Sequence, residues 1–349
     1  MRNQTLIILL TLLLTAGLML GACAAPPPAA PAVETPAPTQ PAAQPTEPPA
    51  PTADLPDPTS PPASSPMPES TPIVLTDGLG NTVTLEKPAQ KIVSLAPSNT
   101  EILFAIGAGD QVVGRDQFSD YPAEAQQAAD IGGGFGELNT ELIVSLNPDL
   151  VLAADLTPPE QVQALQNLGL TVYALPNPTT IPEMFENLRV VAQLTGHEEQ
   201  AASLVESLEA RVAAVEEKVA GVQERPLVFY QLDSTDPNAP WTSGAGTFID
   251  TLLGMAGGEN LGNILDSPWA QISLEALLEQ DPDIIILGDA TWGGITPEMV
   301  AARAGWETLS AVKEGKVFPF DDNLVSRPGP RMVDGLEGLA KLLHPDLFP

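Results

Sequence analysis

Asn147-Pro148-Asp149-Leu150-Val151-Leu152 and Asp281-Pro282-Asp283-Ile284-Ile285-Ile286 lie 134 positions apart and state the same local structure. A Pro-Asp turn followed by a short, continuous apolar run reads as a turn into a fully buried strand, because parallel strands covered on both faces lose polar alternation. The match extends outward at constant offset. Phe135, Glu141 and Asp155 stand around the first copy as Trp269, Glu275 and Asp289 stand around the second. The chain therefore carries one αβ unit twice, each with an aromatic residue and an acidic helix start. Two similar α/β lobes so equipped predict a cleft between halves and a partner that reads both.

Around this repeat, Ile73-Val74-Leu75 and Val83-Thr84-Leu85 flank Asp77-Gly78-Leu79-Gly80-Asn81 and predict a β-hairpin. Strands are expected at 91–95, 111–114, 150–154 and 171–175, alternating with helices near 139–146 and 159–168, which predicts a mostly parallel sheet. Ser98-Asn99-Thr100-Glu101 reads as a polar helix start whose side-chain oxygens can cap free N–H groups before the run Ile102 to Ile106. Residues 181–221 are helical in pattern, punctuated at Gly196, and a helix from His197 to Ala220 would be ~36 Å long, enough to join two lobes. A second lobe is expected over 222–349, with strands at 227–232 and 316–320 and helices near 247–255, 297–304 and 331–343. The fold class is α/β: two lobes with mostly parallel sheets, joined by one long helix, a ligand cleft between them. The N-terminal lobe is placed at 73–180 and the connecting helices at 181–221.

The N-terminus speaks to location. Arg2 precedes a nearly unbroken apolar run from Leu6 to Leu20, about 15 residues and shorter than the ~20 that span a bilayer. Leu20-Gly21-Ala22-Cys23 follows, so residues 1–22 read as a signal peptide. Cys23 is the single cysteine and resembles the lipidated first residue of a mature bacterial lipoprotein. From Ala24 to Pro72 the chain is dominated by Pro, Ala, Thr and Ser and has no Lys, Arg or aromatic residue. Such a stretch cannot offset chain entropy by burial. Residues 23–72 are thus expected to tether the globule to the outer face of the cell membrane, with a reach on the order of 150 Å at most.

With 14 Lys and Arg against 45 Asp and Glu, the formal charge of −31 argues against nucleic acid as a partner. Enzymatic chemistry finds little support. His197 and His344 each sit beside a helix break without a nucleophile or ligand at motif spacing, and the lone cysteine is assigned to lipidation, so neither metal nor cofactor is expected. Gly132-Gly133-Gly134-Phe135-Gly136 lacks the Lys-Ser/Thr of a phosphate loop and reads as a flexible cleft-edge loop. Carboxylates are plentiful but nothing singles out a pair, so an exported cell-wall or polymer-acting hydrolase stands as the competing class. The aromatic residues are few, and many, Trp241 and Trp269 among them, are expected in loops among Gly, Pro and polar neighbours. Phe118, Phe135, Trp241, Trp269 and Trp292 together point to a flat or macrocyclic ligand held between lobes.

Lys91-Ile92-Val93-Ser94-Leu95-Ala96-Pro97-Ser98-Asn99-Thr100-Glu101, Ser119-Asp120-Tyr121-Pro122, Trp241-Thr242-Ser243-Gly244, Gly257-Gly258-Glu259-Asn260 and Ser326-Arg327-Pro328-Gly329-Pro330-Arg331 resemble the substrate-binding proteins of iron-siderophore and cobalamin ABC importers, over essentially 73–347. The resemblance implies two α/β lobes bridged by a long helix, a monomeric receptor, and an ABC permease dimer with its ATPase as partner. It also implies a glutamate on each lobe that meets permease arginines, matched here by Glu141 and Glu275. The cobalamin branch has aromatics that match Phe118, Phe135, Trp241 and Trp269, with Arg327 in the loop before the last helix. A corrinoid is the ligand this implies, carried rather than used; a ferric siderophore or haem is the alternative within the class.

Overall fold

The computed structural model describes residues 71–134 and 136–348. The expected signal peptide, Cys23, nearly all of the tether, and Phe135 lie outside the described residues. The N-terminal lobe opens with the hairpin β1 (Ile73–Thr76) and β2 (Thr82–Leu85), whose turn is held by the Asp77 carboxylate accepting from Leu79 N and Asn81 N. There follow β3 (Ile92–Ser94), α1 (Pro97–Ala105), β4 (Val112–Arg115), β5 (Ala129–Asp130), α2 (Thr140–Ser145), β6 (Leu150–Ala154), α3 (Pro159–Asn167) and β7 (Val172–Leu175). The sheet order is β5-β4-β3-β6-β7, and every pair is parallel.

Next come α4 (Ile181–Thr195) and α5 (Glu198–Val219). A capping box starts α4, with Glu183 N donating to Thr180 Oγ1 and Thr180 N to the Glu183 carboxylate; Gly196 ends it at φ 78°. That left-handed position suits glycine, which has no Cβ to clash. The C-terminal lobe comprises β8 (Leu227–Asp233), β9 (Trp241–Ser243), α6 (Phe248–Met255), β10 (Glu259–Asn260), β11 (Trp269–Gln271), α7 (Leu274–Gln280), β12 (Ile284–Leu287), α8 (Ala290–Gly293), α9 (Pro297–Ala301), α10 (Ser310–Lys313), β13 (Val317–Pro319), α11 (Asn323–Ser326) and α12 (Met332–Leu343). Its sheet runs β11-β9-β8-β12-β13, with β10 also on β8. Strands β8, β12 and β13 are parallel, and β9 is antiparallel to both β8 and β11.

The repeat reaches down to single backbone angles. Asn147 and Asp281, 134 positions apart, are the two non-glycine residues with positive φ among the described residues, at 49° and 43°. Short Asx side chains tolerate this conformation, and in each lobe it turns the chain from helix into buried strand. Asp149 then accepts from Gln90 N and Lys91 N at the start of β3, and Asp283 accepts from Leu227 N at the start of β8. One carboxylate per lobe thus sets the register of the central strand.

The long helix α5 joins the lobes, with α4 packed along it. The stretch before α4 touches the C-terminal lobe, where Thr251 Oγ1 of α6 donates to Thr179 O at 2.9 Å. The far end of α4 lies back at the N-terminal lobe, with Ala89 N donating to Leu194 O and Gln111 Nε2 to Thr195 O. From there α5, about 33 Å at 1.5 Å per residue, crosses again. On α12 it meets Glu337 and Asp334, which accept from Arg211 at 2.5–2.8 Å. The cores follow this layout. Val93, Val151 and Val172 belong to a cluster on the outer face of the first sheet, and Phe229, Ile285 and Trp306 to its counterpart on the second. The largest cluster is common to both lobes, running from Ile92 and Leu103 through Val191, Val205 and Val215 to Tyr230, Ile286 and Leu339.

Candidate binding cleft

In open α/β sheets, ligands collect beyond the carboxyl ends of the strands. Here the residues that follow β3, β6 and β7, with Leu232 near the end of β8, enclose a cavity of about 380 Å³ between the lobes. Pro97, Asp155, Leu156 and Pro178 form its N-terminal wall, and Phe248, Trp269 and Arg327 its C-terminal wall. A second cavity of about 230 Å³ adjoins it through shared residues Ala96, Pro97, Ala154 and Leu156, and is bordered by Phe118, Gly133 and Gly134.

The polar start expected for α1 is built differently. The helix begins at Pro97 with Ala96 as N-cap and no side-chain cap, because the polar side chains that follow are used elsewhere. Asn99 Nδ2 donates to Leu152 O, binding α1 to β6. Thr100 Oγ1 lies 2.8 Å from both Ser94 Oγ and Ser119 Oγ, and Ser119 Oγ donates to Asp116, whose other oxygen accepts from Phe118 N at 2.9 Å. Burial pushes the Asp116 carboxyl up, and these hydrogen bonds pull against that. The chain of hydroxyls fixes the Phe118 loop beneath the cleft. The glycine loop packs on the same ring: a Cβ on Gly134 would lie 2.2 Å from Phe118 Cε2. This loop sits at the cleft edge as expected, held by Gly133 N donating to Glu137 O and Gln117 Nε2 to Gly133 O.

Glu101 is the residue most changed in meaning. It is buried and receives a two-pronged contact from Arg331, Nε to Oε2 at 2.8 Å and Nη2 to Oε1 at 2.5 Å. Burial pushes its carboxyl up, and the Arg331 guanidinium opposes that shift. Arg327 Nη1 lies 3.5 Å from the same carboxylate and 2.6 Å from Asp120 Oδ1. The Arg331 guanidinium also covers the Tyr121 ring at 3.9 Å. Both arginines belong to the C-terminal lobe and all three partners to the N-terminal lobe, so these contacts clasp the lobes at one edge of the cleft.

Of the aromatic candidates, Phe118 and Trp269 border the adjoining cavities from opposite lobes, both about two-fifths exposed. Trp269 packs at a tilt on Phe248, ring centres 5.8 Å apart. Trp241 and Trp292 border neither cavity. Trp241 and Trp269 are strand residues, not loop residues: the two strands pair antiparallel, with Trp241 opposite Gln271 and Trp269 opposite Ser243. Trp292 lies on α8 and is largely exposed. Phe135 is outside the described residues. The histidines are helix-end residues, His197 before α5 and His344 after α12.

Glu141 and Glu275 occupy the second position of α2 and α7, both exposed. Neither caps its helix. That role falls to Asn139, accepting from Leu142 N at 3.0 Å, and Ser273, accepting from Ala276 N at 3.1 Å.

Residues 92–324 match the model of the periplasmic binding protein family. The chain belongs to that family. An uncharacterized ABC transporter substrate-binding lipoprotein of Bacillus subtilis is 33% identical over 285 residues, covering 80% of this chain and 88% of the relative. Among solved structures, the periplasmic vitamin B12 binding protein of Vibrio cholerae superposes with a TM-score of 0.64 at 28% identity, over 73% of this chain and 97% of that one. The periplasmic haem-binding protein of Roseiflexus in its apo form gives 0.66 at 26%, over 74% and 99%. This periplasmic binding protein is therefore a substrate-binding component of an ABC importer of the vitamin B12, siderophore and haem type, which works with a permease and an ATPase. Its family consists of transport proteins, not enzymes, which removes the hydrolase reading. Among the described residues no helix is long and apolar enough to cross a membrane.

Proposed function

We propose that this periplasmic binding protein is anchored through lipidated Cys23, captures a corrinoid in the interlobe cleft, and delivers it to a permease that grips Glu141 and Glu275. The observation that carries the ligand reading is the pair of adjoining cavities with one exposed aromatic from each lobe, Phe118 and Trp269. Two rings on opposite walls suit a flat ligand with two faces, and the likeness to the vitamin B12 binder supports the same reading. The larger cavity is at the small end of the range for small-molecule sites, so a macrocycle would occupy both cavities together.

Tryptophan fluorescence titration with cobalamin, cobinamide, haem and a panel of ferric siderophores tests this. Saturable binding is expected for the corrinoids. If every corrinoid fails while haem or a ferric siderophore saturates, the ligand is the other one. Trp269→Ala is expected to weaken corrinoid binding by about 1–3 kcal/mol with little change in melting temperature. Lower stability at unchanged affinity would make Trp269 a packing residue.

Anchoring has its own test. Cys23→Ser is expected to shift the protein from the membrane to the soluble fraction of cells with ligand affinity intact, and continued membrane association would remove the lipid anchor from the proposal.

A further inference from the structure

We infer that Asp155 makes the cleft select uncharged, amide-bearing ligands over polyanionic ones. This rests on the cleft being the ligand site, and it holds for any ring or chelate system placed there. Asp155 and Asp289 are the same position of the internal repeat. In the C-terminal lobe that position is structural: Asp289 is buried and accepts from Gln231 Nε2 at 2.8 and 2.9 Å and from Ser234 Oγ at 2.5 Å. Arg303 closes the network, donating to Gln231 Oε1 at 2.8 Å and Ser234 Oγ at 2.6 Å. Among the described residues the N-terminal position has no such network: Asp155 is exposed, forms no hydrogen bond or ion pair with them, and stands on the wall of the larger cavity.

Among the described residues no free cation balances it: Arg327 is the single basic one bordering that cavity, and its guanidinium is held by Asp120 at 2.6 Å with Glu101 at 3.5 Å. The unengaged charge presented to a ligand is therefore negative, on a protein whose formal charge is already −31. Ser98 and Asn99, at the start of α1 where no side chain caps the helix, border the same cavity and offer backbone N–H groups. A primary carboxamide is complementary to both features. Its carbonyl accepts from an N–H, and its NH2 donates to Asp155. A carboxylate in the same place keeps the first contact and meets repulsion at the second.

The test compares two corrins of one ring system, the first with its side arms as primary amides and the second with those arms hydrolysed to carboxylates. Binding is measured by calorimetry at one salt concentration. The wild-type protein is expected to prefer the amide form by more than about tenfold, the scale of one charge-assisted hydrogen bond. Asp155→Asn should narrow the ratio to below about threefold, and Asp155→Lys should favour the carboxylate form. Since Asp155 holds nothing in place, both variants should melt with the wild type. Equal affinity for the two corrins, or an unaltered ratio in Asp155→Lys, would overturn the inference. If neither corrin binds, the corrinoid reading fails by itself. The charge preference is then read from a ferric trihydroxamate bearing a free ammonium against a ferric tricatecholate. Preference for the trihydroxamate, lost in Asp155→Lys, supports the inference, and its absence ends it.

Discussion

Reversing both charges with Glu141→Arg and Glu275→Arg is expected to abolish ligand uptake and co-purification with the permease, while ligand affinity stays within about threefold, under ~1 kcal/mol. The two glutamates are exposed, stand at the same position of equivalent helices, and leave capping to Asn139 and Ser273. Removing them therefore takes nothing from either helix beyond a weak interaction with its dipole. Exposed ion pairs are worth little alone, but pairs buried when two surfaces dock can contribute several kcal/mol each, and a reversed charge turns that attraction into repulsion. Separate assays of binding and of uptake by whole cells check the expectation. Normal uptake by the double variant would mean that the permease does not read these positions.

Arg331→Met is expected to lower the free energy of unfolding by about 3–5 kcal/mol, as removal of one partner from a buried ion pair does. Glu101 would remain buried on α1 with Arg327, 3.5 Å away, as its nearest cation, and Tyr121 would lose the group that covers it. Removing both charges with Glu101→Leu and Arg331→Met should restore much of the loss, because no carboxylate is then left without its partner. Urea unfolding followed by tryptophan fluorescence measures both. A loss below ~1 kcal/mol in the single variant would place the pair with ordinary surface contacts.

The architecture was legible because its signals are local and strong. A Pro-Asp turn, an apolar run and a constant offset need no tertiary information, and β6 spans the expected 150–154. The edge pair β9 and β11 was hidden for the opposite reason. Each is three residues long, too short for alternation to register, and its pairing joins segments separated by α6 and β10. Reading Trp241 and Trp269 as loop residues followed from that. The misreading of Glu101 has a similar origin. Four polar residues before an apolar run look like a cap, and only the fold shows that Asn99 reaches β6 and that Glu101 reaches an arginine 230 positions away. Arg331 stood in a stretch that carried the family resemblance, yet nothing local gave it a partner. The repeat placed Asp155 and Asp289 on equal terms, and their different surroundings are tertiary.

The core common to both lobes also sets the order in which the protein can be completed. Leu336 and Leu339 on the last helix belong to the same cluster as Ile92 and Leu103 near the beginning, and Glu101 finds its principal partner at Arg331. A chain emerging from the ribosome N-terminus first cannot finish its first lobe until its final residues have been made. Until then the early strands hold only part of their packing, and the globule locks when the last helix arrives.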